Sequence, residues 1–234
     1  MASVRPGAGS GISRRAVGLA FGLAVAAAAA IIAIALLAQS GDEDRSGPAS
    51  DLSGIPQDGM FLGNPDAEVL LIEYADLQCP FCAEYSTQVF PTLVAEYVRP
   101  GTVRMELRGL AFLGPDSEKA LRFVVAAGLQ DHAWELQEAL YRSQGEENSG
   151  WVTDELVREL ASGIAGLDVD RLFEDAQSAE VTARIREMAR QGQVDGVPGT
   201  PTFFVKIGDD DPYLIQVPLE PDPFRAALDD ALRG

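Results

Sequence analysis

Cys79 and Cys82 are the only cysteines of the 234-residue chain, and they stand together as Cys79-Pro80-Phe81-Cys82. They fall where an apolar strand-like run, Val69-Leu70-Leu71-Ile72-Glu73-Tyr74, gives way to a helix-like run from Ala83 onward. A thiol in the first turn of a helix faces unpaired backbone N–H groups and the positive end of the helix dipole. Both favour the thiolate, the species that attacks disulfides. A partner three residues on lies about one helical turn away, close enough to close a disulfide within the motif. Pro80 suits the first helical position and fixes the geometry there. The chemistry within reach is thiol–disulfide exchange.

Other uses of the pair are weaker. A structural zinc site needs four ligands, commonly from two such knuckles, and the chain offers one knuckle and a single histidine, His132. No metal or other cofactor is expected. A purely structural disulfide closing so short a loop removes little unfolded-state entropy. Two buried, inert thiols remain an alternative, against which Pro80 argues.

The elements that must position the pair follow from periodicity. Val69–Asp76 is an apolar run suited to a central strand, and Cys79–Tyr97 is helix-like with an interruption at Pro91. Val103–Leu110 alternates as a half-exposed strand. Pro115-Asp116-Ser117-Glu118 opens a helical block over about 116–128, 131–143, 153–164, 168–176 and 179–192, with Thr153 and Asp168 as N-caps. Thr202–Ile207 and Tyr213–Val217 read as strands joined by Gly208-Asp209-Asp210-Asp211-Pro212, and Pro223–Leu232 as a closing helix. The order predicts a small α/β sheet with a helical insert over about 114–192. Trp134 and Trp151 read as core of that insert rather than as a cofactor site.

Outside this domain, residues 1–15 carry Arg5, Arg14, Arg15 and no acid, and Ala16–Ala38 has no charge over 23 residues. As a helix that run is about 35 Å long, enough for a hydrocarbon core of about 30 Å. It exceeds the usual apolar core of a signal peptide, and cleavage after Ala38 would place Leu36 where a small residue is wanted. An uncleaved anchor with its N-terminus inside is expected, since the arginines precede the span and Asp42, Glu43 and Asp44 follow it. Residues 39–58 read as a flexible tether and 59–234 as one compact domain. After the span 15 basic residues face 36 acidic ones, which makes nucleic acid and anionic lipid headgroups poor partners for the domain.

The chain resembles the DsbA-like branch of the thioredoxin superfamily, in its membrane-anchored bacterial form. The resemblance rests on Cys79-Pro80-Phe81-Cys82 and on Gly196-Val197-Pro198-Gly199-Thr200-Pro201-Thr202-Phe203-Phe204-Val205 about 120 residues later. Gly63-Asn64-Pro65-Asp66-Ala67, Asp131-His132-Ala133-Trp134-Glu135 and Leu167-Asp168-Val169-Asp170 add to it. It covers about residues 59–234 and implies a thioredoxin-like fold with an inserted helical subdomain, behind an N-terminal transmembrane helix. It also implies a redox disulfide between Cys79, the exposed attacking cysteine, and Cys82, the buried resolving one. Pro80 and Phe81 would support the motif. Pro201 would be a cis-proline beside the sulfurs, with Thr200 offering its backbone to an extended substrate. A trans proline at a strand start is the other reading of Pro201. Glu73 stands where the family often has a buried acid that moves protons at the resolving cysteine; an edge charge facing water is equally compatible.

Two features depart from the family. Phe81 replaces the histidine of the best-known oxidases, which removes a donor to the thiolate and makes the disulfide less oxidising. The acidic turn Gly208–Pro212 puts the pairing of the last two strands in question. The implied function is extracytoplasmic disulfide formation in exported cysteine-containing proteins, with a membrane redox partner recycling the pair. A reductase or isomerase of the same fold, and an anchored binding or chaperone module, are the alternatives.

Overall fold

The structure, a computed structural model, describes residues 50–234. The expected N-terminus, the 16–38 span and most of the tether lie outside the described residues. Among the described residues no helix is long and apolar enough to cross a membrane.

A six-stranded sheet organises the domain. Its strands are β1 (Gln57–Asp58), β2 (Phe61–Leu62), β3 (Val69–Ala75), β4 (Val103–Gly109), β5 (Thr202–Ile207) and β6 (Tyr213–Ile215). Their spatial order is β1-β2-β4-β3-β5-β6. β3 pairs in parallel with β4 and antiparallel with β5, so Glu73 lies between Leu107 and Phe203. That central position explains the composition: β3 is covered on both faces and reads as a near-continuous apolar run. β4 alternates buried Val103, Met105 and Leu107 with half-buried Arg104, Glu106 and Arg108. β5 and β6 pair antiparallel, Phe203 opposite Ile215, so the acidic turn does not disturb their register.

The redox motif opens helix α1 (Pro80–Gln88). A short helix, α2 (Phe90–Leu93), follows with Pro91 in its first turn, and Val94–Val98 winds more widely as a π-helical turn. The interruption expected at Pro91 is present, because Pro91 has no N–H to continue the first ladder and sits instead in the first turn of the next helix. The insert holds α3 (Pro115–Gly128), α4 (Ala133–Arg142), α5 (Asp154–Ser162), α6 (Val169–Asp175) and α7 (Ala179–Val194). Thr153 and Asp168 cap their helices as expected, accepting from the N–H groups of Leu156 and Arg171. Helix α8 (Pro221–Ala231) closes the chain and begins two residues earlier than expected.

The ordered domain also begins before residue 59. Leu52 and Ile55 are buried, and Gln57–Asp58 pairs with Phe61–Leu62. Two apolar residues spaced among Ser, Gly and Asp suffice to fasten a segment that reads as tether by composition. The main core lies between the sheet and the helices, where Trp134 stacks on Phe90 with centroids 5.4 Å apart. Trp151 packs half-buried against it.

Leu71, fully buried at the centre of β3, measures this packing. Leu71→Ala should lower unfolding stability by about 2–5 kcal/mol in urea titration; a cost below about 1 kcal/mol would mean the face is not tightly packed.

Candidate active site

Cys79 is the N-cap of α1 and Pro80 its first residue. The Cys79 sulfur therefore stands over the first N–H groups of the helix, and those of Phe81 and Cys82 bond to it. From the other side comes the loop before β5. The Thr200–Pro201 peptide bond is cis, and the Cys79 thiol donates to the Thr200 carbonyl at 3.2 Å. Pro201, just ahead of β5, brings no N–H to this edge, so the backbone beside the sulfur is carbonyl rather than donor. Thr202 fastens the loop by donating its hydroxyl to the Gly199 carbonyl at 2.7 Å.

Both cysteines are free thiols in this structure. Their environments differ sharply. The Cys82 thiol bonding to Cys79 is the main reason the Cys79 thiol falls from 9.0 to about 6; the Thr200 side chain and the two backbone N–H groups add to it, against burial, which raises it. Cys82 is wholly covered, and burial first, then Cys79, pushes its thiol well above the ordinary range. One sulfur is poised as thiolate and the other as thiol. Cys79 is only 5% exposed, however, which corrects the expectation of an exposed sulfur: the Thr200–Pro201 loop lies against it. The exposed parts of the motif are Pro80 and Phe81, the latter 59% accessible.

Glu73 resolves toward the buried alternative. It is fully covered, neither carboxyl oxygen has a hydrogen-bond partner, and burial raises its carboxyl from 4.5 to about 8. It lies among Tyr85, Ser86, Phe90, Trp134, Gln137 and Glu138, and once ionised its charge would push the Cys82 thiol further up.

Asp76 and Gln78 read from sequence as polar loop residues bordering the motif. The structure buries both and makes them the joint between motif and insert. Asp76 accepts from the Gln78 N–H, the Ser117 hydroxyl and the N–H groups of Phe112 and Leu113. Gln78 donates to Ser117 and Asn148 and accepts from the Asn148 N–H at 2.7 Å. Gln144 donates to the carbonyls of Leu77 and Cys79. The one sequence signal available was two polar residues held between an apolar strand and a cysteine.

Residues 56–230 match the family model described as Thioredoxin. The chain belongs to the thioredoxin family. With its cysteine pair, it is a dithiol–disulfide oxidoreductase of that family. It is 27% identical over 193 residues to "Probable disulfide bond formation protein D" of Bacillus anthracis, covering 81% of this chain and 86% of that protein. Its fold matches the crystal structure of oxidised BdbD from Bacillus subtilis with a TM-score of 0.67 at 22% identity, over 77% of this chain and 98% of that one. A thioredoxin-like oxidoreductase from Silicibacter pomeroyi matches at 0.59 with 28% identity, over 82% and 98% of the two chains. The thioredoxin fold with a helical insert is thereby placed, and the site lies where β3 hands over to α1.

The two perturbed groups have opposite linkage. In the reduced protein, Cys79 is shifted down, so its contribution to folding is full above pH 9 and lost as pH falls through about 6. Glu73 is shifted up, so its contribution is full below pH 4.5 and lost as pH rises through about 8. Glu73→Gln should therefore gain stability over wild type as pH rises from 4.5, levelling off above about 8, in urea titrations at a series of pH values. A difference that stays flat with pH would place the Glu73 carboxyl in contact with water.

Proposed function

We propose that this chain is a single-pass, membrane-anchored oxidase whose extracytoplasmic domain passes the Cys79–Cys82 disulfide to exported proteins. The observation that carries the reading is the split between the two sulfurs under the Thr200–Pro201 loop. A substrate thiolate attacks Cys79, forming a substrate–Cys79 bond and breaking the Cys79–Cys82 bond. Cys82 leaves as a thiolate in a site that disfavours its charge, and it takes a proton. Glu73, whose carboxyl keeps its proton up to about pH 8, is the group placed to give it. A second substrate thiolate then attacks the substrate sulfur and Cys79 leaves as a thiolate, the state its surroundings stabilise. The substrate loses two electrons and the enzyme pair gains them. Sulfur carries all of the chemistry, so no cofactor enters.

Thr200 serves as backbone acceptor for an extended substrate segment, and Pro201 keeps that acceptor beside the reacting sulfur. Pro80 and Phe81 form the accessible rim of the motif. A membrane redox partner returns the reduced pair to the disulfide. The name of the Bacillus anthracis relative supports net oxidation rather than reduction. The uncharged run Ala16–Ala38 supports the anchor.

Direction is read from the redox potential of the full chain in detergent, measured against glutathione. Thioredoxin lies near −270 mV and the strongest oxidase near −120 mV. A value between them is expected, because the Cys79 thiolate is stabilised only by neutral donors. Phe81→His should make the protein more oxidising by roughly 30–65 mV, the worth of one charge-assisted hydrogen bond. A potential at or below thioredoxin's would favour the reductase reading. For the anchor, N-terminal sequencing of the membrane fraction should begin at or next to Met1; a start near Gln39 would mean a removed signal.

A further inference from the structure

The helix before the cis-proline loop ends on a polar cluster that the reaction described above leaves unused. Tyr74 on β3 donates its hydroxyl to Asp195 Oδ2 at 2.6 Å. Arg108 on β4 donates to the same Asp195 oxygen at 3.0 Å and to the Tyr74 oxygen at 2.9 Å. Glu106 holds the other side of that guanidinium with two bonds of 2.9 Å. Gln191, one turn earlier on α7, donates to the second Asp195 oxygen at 2.7 Å. Tyr74 is fully buried, and Arg108, Glu106 and Asp195 are each less than one-fifth exposed.

Asp195 is the C-cap of α7, and the chain turns directly from it into the loop. Gly196 has φ +67°, and the Val197 N–H returns to the Gly192 carbonyl at 2.9 Å, which closes the helix end. Val197 packs against the same face of β3, on Ile72, Tyr74 and Phe204. Three residues further on, the Thr200 carbonyl meets Cys79. The loop is thus tied at its start to Tyr74, by a hydrogen bond through Asp195 and by packing through Val197.

We propose that Asp195 is a positioning residue for substrate exchange: gripped by Tyr74 and Arg108, it sets where the Thr200 backbone stands relative to Cys79. Buried hydrogen bonds of this kind fix geometry within a fraction of an ångström only while every member is paired. Losing about 1 Å of alignment at a reacting centre can cost on the order of a hundredfold in rate. The clamp sits on the opposite face of the sheet from Glu73, since Tyr74 and Glu73 are neighbours on one strand. Alignment of the substrate backbone and proton supply at Cys82 are therefore carried by separate faces of β3. This assignment rests on the reading of Thr200 as a substrate acceptor.

The test compares two reductants of the oxidised full chain in detergent: an unstructured peptide with two cysteines, which needs the Thr200 backbone, and dithiothreitol, which does not. For Asp195→Ala, kcat/KM for the peptide should fall roughly ten- to a hundredfold with the dithiothreitol rate kept. Asp195→Asn, which retains an acceptor, should restore most of the peptide rate. Tyr74→Phe removes one hydroxyl and leaves the packing, and should lower the same ratio roughly two- to tenfold even if Asp195→Ala does not fold. Peptide and dithiothreitol rates that fall together, or a ratio unchanged in Tyr74→Phe, would overturn the assignment. Wild-type protein that leaves the peptide reduced would overturn the acceptor reading itself, a separate outcome.

Discussion

The contact between Cys79 and the Thr200 carbonyl joins residues 121 apart in sequence, and much of the domain exists to hold it. A helix N-terminus alone would lower a thiol's pKa, but it would not present that thiol to an extended chain. A proline-led strand alone would offer a backbone edge with nothing to react. The two are brought together because β3 leads into the helix and β5 lies beside β3 in the sheet. The register Glu73 opposite Phe203 and Tyr74 opposite Thr202 then sets Cys79, five residues past Tyr74, against the residues just before Thr202.

Holding the motif from above is a different problem, because a strand-to-helix junction exposes backbone polar groups. Asp76 and Gln78 solve it with side chains that reach into the insert. Each of their bonds is worth about 0.5–1.5 kcal/mol net, and leaving any one unmade in a buried site costs more than making it gains. The insert is thus coupled to the motif through satisfied polar groups rather than through apolar contact alone. Gly114 shows how close the fit is: a Cβ there would stand 2.0 Å from Asn148 Oδ1, the atom that accepts from Gln78.

What could be read from the residues, and what could not, divides along physical lines. The redox pair, the proline loop and the strands β3, β4 and β5 are legible because each depends on local chemistry, on an apolar run of strand length, or, for β4, on a period of two sustained over several residues. Strands β1 and β2 are two residues long, too short for a period to register. The anchoring of Leu52 and Ile55 depends on a surface formed by distant residues. Asp76, Gln78, Gln144 and Asn148 have the same composition whether they face water or a buried joint, so no pattern separates the cases. Glu73 is ambiguous for the same reason: a lone acid in an apolar strand suits an edge or a sealed site, and only the neighbours β4 and β5 decide.

The thiolate at Cys79 is stabilised without any cation. A drop from 9.0 to about 6 corresponds to about 4 kcal/mol between the two protonation states. The Cys82 thiol leads, and with the Thr200 side chain and two backbone N–H groups it outweighs the burial that pushes the thiol up. The largest of them is the partner thiol, and the same bond helps push Cys82 upward. The two shifts are one interaction seen from its two ends. It exists only in the reduced pair, because the disulfide consumes both the donor and the acceptor. Reduction therefore creates the bond that stabilises the reduced state. A site with phenylalanine before its second cysteine thus keeps a stabilising bond that only its reduced state can make.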